Sequence, residues 1–137
     1  MKYSIFIFFL IVSLKLSAQQ VYTPQKGTPE RTQILDIFRE DFGEEKSQIL
    51  FRVEHFLISG NWACAYVTPL RNNKDAGEPR WDLFQKINGT WKSVKWDENI
   101  DIQDDFELID LPQQNSRIAK EIVRNFPGCS MSIFGKQ

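Results

Sequence analysis

The sequence predicts an α+β domain: an N-terminal helix packed on a four-stranded antiparallel β-meander, with a C-terminal helix after it. Three observations carry this. Apolar residues recur at helical spacing over residues 29–43 and again over 116–126, with strand-like alternation between them. Two turn signals, Gly60-Asn61 and Asn88-Gly89, each separate a pair of alternating segments. The chain beyond residue 18 has the length of one ordinary domain. A helix laid across one sheet face gives the expected two-layer arrangement.

Residues 1–18 read as an address. Lys2 provides a positive start, Ile5 to Val12 form an unbroken apolar run, and small Ala18 precedes Gln19-Gln20. This is the pattern of a secretory signal peptide cleaved after Ala18. A membrane anchor needs about 20 apolar residues, and Lys15 interrupts the tail of this shorter run. The expectation is an exported protein, periplasmic or extracellular, with no membrane association after cleavage. Of 17 basic and 18 acidic residues, only Lys2 and Lys15 fall in the signal, leaving a net charge of −3 on the remainder. A nucleic-acid partner calls for a basic face, so none is expected.

Residues 19–28 form an extended polar leading segment, and residues 29–137 the single domain. Thr28-Pro29 marks a helix start, with threonine as N-cap and proline at the first helical position. Ile34, Leu35, Phe38 and Phe42 make its apolar stripe, and Gly43 stops it. In "QILFRVEHFLIS", Ile49, Phe51 and Val53 alternate, and then Phe56 and Ile58 carry the apolar side. That change of phase predicts a β-bulge near Glu54-His55.

Gly60-Asn61 turns the chain into "WACAYVTPL", with Trp62, Cys64 and Tyr66 on one face and Ala63, Ala65 and Val67 on the other. "RNNKDAGEP" reads as a polar loop. "RWDLFQKI" and "TWKSVKW" flank Asn88-Gly89 as a second hairpin. After an acidic connection, Ile118, Ala119, Ile122, Val123 and Phe126 line a final helix, capped by Asn115 or Ser116 and ended by Pro127-Gly128.

The segment "ILDIFRE…FRVEHFLISGNWACAYV…WDLFQKINGTWKSVKW" resembles small exported bacterial proteins of unknown function. In these a helix precedes a strand ending in a G-x-W-A hairpin, and a later pair turns at G-x-W. One helix followed by an antiparallel meander is similar to the cystatin-like and NTF2-like group of α+β domains. The resemblance covers residues 29–98 and implies shape rather than activity. The Q-x-V-x-G hairpin tip of cystatin inhibitors is missing from this chain.

Several residues are candidates for function. Cys64 and Cys129 are the only cysteines, and an even count in an exported chain predicts a disulfide pinning the C-terminal tail to the sheet. Inert buried thiols and a thiol nucleophile are the alternatives. His55 is the only histidine, and with Glu54 at the bulge or Asp82 it could line a pocket. The segment 97–110 holds Asp97, Asp101, Asp104 and Asp105 among its acids. Asp97, Asn99 and Asp101 match the start of a calcium loop, but Ile102 replaces the turn glycine and Leu108 the bidentate glutamate. The expected role is a solvated connection whose Ile100, Ile102, Phe106 and Leu108 touch the core. Trp62, Trp81, Trp91 and Trp96 are expected in the core, each indole N–H with a partner.

No phosphate loop, nucleophile elbow or zinc motif occurs. The sequence therefore predicts a non-enzymatic exported domain without cofactor or metal, binding a protein or small molecule through its sheet face or loops. The alternatives are an NTF2-like ligand pocket or enzyme, and an immunity or inhibitor protein.

Overall fold

The computed structural model describes residues 19–137; the expected signal peptide lies outside the described residues. The elements run β1 (Val21–Tyr22), α1 (Pro29–Glu40), a 3-10 turn (Gly43–Gln48), β2 (Leu50–Ser59), β3 (Trp62–Arg71), β4 (Lys74–Asp75), β5 (Arg80–Ile87) and β6 (Thr90–Ser93). After these come a 3-10 turn (Trp96–Asn99), α2 (Phe106–Ile109), α3 (Arg117–Asn125) and a last 3-10 turn (Met131–Ile133).

The sheet has six antiparallel strands rather than four. Its order is β1-β2-β3-β5-β6, with β4 paired to β3. The two added strands come from segments with weak sequence signals. Val21 and Tyr22 pair with Ser59 and Ile58, so the leading segment joins the sheet. Asn72 and Asn73 both take positive φ, at 50° and 60°, and close a tight hairpin between Arg71 and Lys74. Asparagine tolerates that conformation better than most residues.

The two strong turn signals sit where the sequence places them. Gly60 has φ 59° between the paired Ser59 and Trp62. Asn88 and Gly89, at φ 51° and 79°, join Ile87 to Thr90. The register of β2 on β3 shifts between Val53 and His55, so Glu54 is the extra residue of a bulge. Because of that insertion Phe51, Val53, Phe56 and Ile58 all face the same side.

Each sheet face has its own core, which replaces the expected two layers by three. On one face Ile34 and Phe38 of α1 pack on Phe56, Ile58, Ala63, Ala65, Val67, Phe84 and Trp91. Phe38 meets Phe84 edge-on at 5.3 Å between ring centres. On the other face Trp62, Cys64, Trp81 and Leu83 pack under Ile118, Ala119 and Ile122 of α3, with Ile133 and Phe134 from the tail.

Helix α1 begins at Pro29 as expected, but the Thr28 hydroxyl donates to the Gln25 carbonyl and does not cap it. The helix ends at Glu40, leaving Phe42 beyond it and half-buried. Arg80 fills that corner: it lies over the Phe38 and Phe42 rings and donates to the Phe38 carbonyl (2.6 Å) and Asp41 (2.7 Å). A cation at the helix C-terminus suits both the unpaired carbonyls and the helix dipole. Helix α3 is capped by Ser116, whose hydroxyl oxygen accepts from the Ala119 amide.

All four tryptophans are buried, but the indole N–H groups of Trp81 and Trp91 have no protein partner among the described residues. Trp81 instead stacks on Trp96 at 4.5 Å, a geometry that favours ring contact over an acceptor at its edge. Phe134 is completely buried although it lies only three residues before Gln137. Replacing Phe134 by alanine is expected to lower stability by about 3–5 kcal/mol, measured as a shift in denaturant midpoint. A loss below about 1 kcal/mol would show that the tail is not part of the core.

Candidate functional site

His55 and Asp82 do not converge. His55 sits opposite Tyr66 on the face covered by α3 and the tail, where the Ile133 carbonyl lies 2.7 Å from its Nε2. A carbonyl only accepts, so Nε2 carries the proton. Burial lowers the pKa of this ring, and the bond to Ile133 offsets that in part. His55 therefore acts as a neutral donor holding the tail to β2.

Asp82 faces the other way. Its neighbours Trp81 and Leu83 belong to the α3-side core, so alternation turns Asp82 toward the α1 side. Its carboxylate accepts from the Ser93 hydroxyl (2.5 Å) and the Leu83 amide (2.8 Å). Burial outweighs both bonds and raises its pKa to about 6. Between the sheet and α1 the space is filled: Phe38 lies 5.8 Å from Phe51, and Ile34 and Trp91 complete the layer. Ile122 fills the opposite core. Glu54 accepts from Thr68 at 3.3 Å and pairs with Arg52, and together with His55 it lines an open cleft at the outer edge of β2.

The expected disulfide is not formed. Cys64 and Cys129 are free thiols, both buried in the α3-side core. Burial raises Cys129 to about 12 and Cys64 well above its ordinary value, so both are protonated and poorly nucleophilic at neutral pH. They pack as small apolar groups. The tail is held by other means: the Gln114 amide donates to the Gly135 carbonyl (2.7 Å), and Gly135 donates to the Pro112 carbonyl (3.2 Å).

The acidic segment departs from expectation in one respect. Ile100 is buried and Ile102 packs against the core, but Phe106 is 70 % exposed, Leu108 40 % and Ile109 44 %. Glu107 explains the reversal. It turns inward to pair with Arg117 of α3 at 2.5 Å and accepts from the Gln103 amide at 2.7 Å. Arg117 also donates to the Asp101 carbonyl at 2.9 Å. With Glu107 anchored, its neighbours Phe106 and Leu108 are directed outward.

Asp97 is exposed in the 3-10 turn Trp96–Asn99, and Asp101, Asp104 and Asp105 are exposed in the segment leading into α2. Asp104 accepts from the Glu107 amide at 3.2 Å. No group of three or more His, Cys, Asp or Glu side chains among the described residues is placed to hold a metal ion. Phe106 and Leu108, expected to touch the core, face water instead; the Glu107–Arg117 pair that turns them outward joins residues ten apart and leaves no local signal.

Asp82 gives a pH dependence of definite sign. Its folded pKa lies above the value of an unfolded chain, so the folded protein binds the proton more tightly. The contribution of Asp82 is greatest below about pH 4 and is lost as pH rises through about 6, up to about 3 kcal/mol in all. Asp82→Asn removes this loss. The stability of the variant relative to the parent should therefore rise between pH 4 and pH 7 in denaturant titrations. A difference that does not change over that window would contradict the burial of this carboxyl.

Comparison of the chain with protein-family models, with curated proteins and with solved structures gives no match in any of the three. Among the described residues, no helix is long and apolar enough to cross a membrane.

Proposed function

We propose that this chain is an exported, non-enzymatic binding domain that engages a protein partner through the surface around α2. The observation that carries the reading is the exposure of Phe106, Leu108 and Ile109 on one short helix. Exposed apolar groups bordered by charge are a common form of protein-docking surface. The border here is Asp101, Asp104, Asp105 and Asp110, all exposed. Large side chains of this kind act as anchors when a partner excludes water from them.

Two further features support binding over catalysis. His55 is occupied with the Ile133 carbonyl, and Asp82 lies on the opposite sheet face. Both faces of the sheet are packed, so the partner meets loops and edges in place of a sheet face. In fold terms we assign the chain to the cystatin-like and NTF2-like kind of α+β domain, with α1 on an antiparallel meander and α3 with the tail as an added layer. The acidic border favours an immunity or inhibitor protein as the second reading, since such a surface steers a basic partner.

The test uses the protein as bait on its own envelope fraction, beside the double variant Phe106→Ser, Leu108→Ser. Exposed positions tolerate polar replacements, so stability should change by no more than about 0.5 kcal/mol. A partner retained by the parent and lost by the variant is the expected result. Equal retention by both, or no partner at all, would contradict the reading.

A further inference from the structure

The outer edge of β2 is open over most of its length. β1 pairs only with Ile58 and Ser59, so no strand among the described residues lies beyond Leu50 to Leu57. Ser59 and Trp62 flank a two-residue turn and form a hydrogen-bonded pair. Alternation then turns the amide and carbonyl of Ile58 and of Phe56 outward. β1 meets Ile58 through Tyr22, and Phe56 is only 3 % exposed. Before the bulge Phe51 stands opposite Pro69, which has no N–H and whose carbonyl accepts from Ala76, so the amide and carbonyl of Phe51, and by alternation of Val53, turn toward the open edge.

Two adjoining clefts of about 320 Å³ each run along this edge and share Arg31 and Val53. Their charge is one-sided. Lys26, Arg31, Arg39 and Lys136 line them against the single acid Glu54. Arg39 is paired with Asp36, and Glu54 with Arg52. Lys26, Arg31 and Lys136 have no carboxylate within ion-pair distance among the described residues. Arg31 lies over the Phe56 ring and donates to the Pro24 carbonyl, which fixes its charge beside the edge. Leu50, 57 % exposed, adds an apolar surface at the far end.

We infer that the β2 edge receives an extended acidic peptide segment from a partner protein, added as a further strand of the sheet. The backbone of Phe51 and Val53 supplies hydrogen bonds, and the cations on both sides of the edge select the charge of the incoming strand. Charged edges also serve to prevent pairing between identical strands. Here the cations disfavour a second copy's β2 and favour an acidic strand, which leaves the latter as occupant. This surface shares no lining residue with α2, so the inference stands apart from the docking reading above.

The probe is a capped hexapeptide of alternating glutamate and valine, with the lysine–valine peptide as its control. Titration of the purified protein, followed by amide NMR, should show saturable binding of the acidic peptide only, with shifts centred on Leu50 to Val53. Reversing two exposed cations, Lys26→Glu and Lys136→Glu, should weaken binding about tenfold, since each contributes a screened attraction. N-methylation of alternate peptide amides should abolish binding without altering the protein. Equal binding of the lysine peptide, unchanged binding after N-methylation, shifts confined to α2, or no binding at millimolar peptide would each overturn the inference.

Discussion

The structure depends on β3 being buried on both of its faces. From Trp62 to Val67 successive side chains enter opposite cores: Trp62 and Cys64 toward α3, and Ala63, Ala65 and Val67 toward α1. The two alanines leave the α1 side shallow at the centre of the sheet, where Ile34 and Phe38 fill the space. The larger tryptophan stands where the α3 layer and Phe126 close over it, its ring 5.8 Å from Phe126. A strand with this alternation cannot leave either face to water, so both helical layers follow from it.

That constraint decides what remains available for function. A sheet covered on both sides offers no floor for a ligand, and the ionisable groups that sequence alone would bring together are divided between the faces. His55 is committed to the tail, whereas Asp82 is committed to Ser93 and the Leu83 amide. The thiols lie inside the α3-side core and are protonated. In the proposed reading recognition falls to the perimeter, where α2 presents apolar groups in an acidic setting and the β2 edge presents unpaired backbone in a basic one. The two surfaces carry opposite charge on a chain whose net charge is small.

Much of this frame was legible in the residues because its signals are local. Asn88-Gly89 and Gly60-Asn61 dictate their turns through φ alone, the phase change around Glu54 marks the bulge, and Ser116 caps α3 within one turn. What the residues concealed depends on distant partners. Val21 becomes a strand only because Ser59 offers it an edge. Phe106 faces water because Arg117 draws Glu107 inward. Ile133 and Phe134 carry no periodic pattern, yet both are completely buried because His55 and Pro112 hold the backbone beside them. The cysteine count pointed to a bond, but both thiols pack unbonded in the same α3-side core. The cations of the β2 edge were equally hidden, since Lys26, Arg31 and Lys136 are neighbours in space and not in the chain.

The double burial of β3 is tested most directly by native-state hydrogen exchange of the amides from Ala63 to Val67. If both layers are integral, these amides exchange only through global unfolding, with protection equal to the full unfolding free energy and the same denaturant dependence. Exchange at a much lower free energy, through a local opening that frees the α3 layer while α1 stays folded on the sheet, would contradict the account.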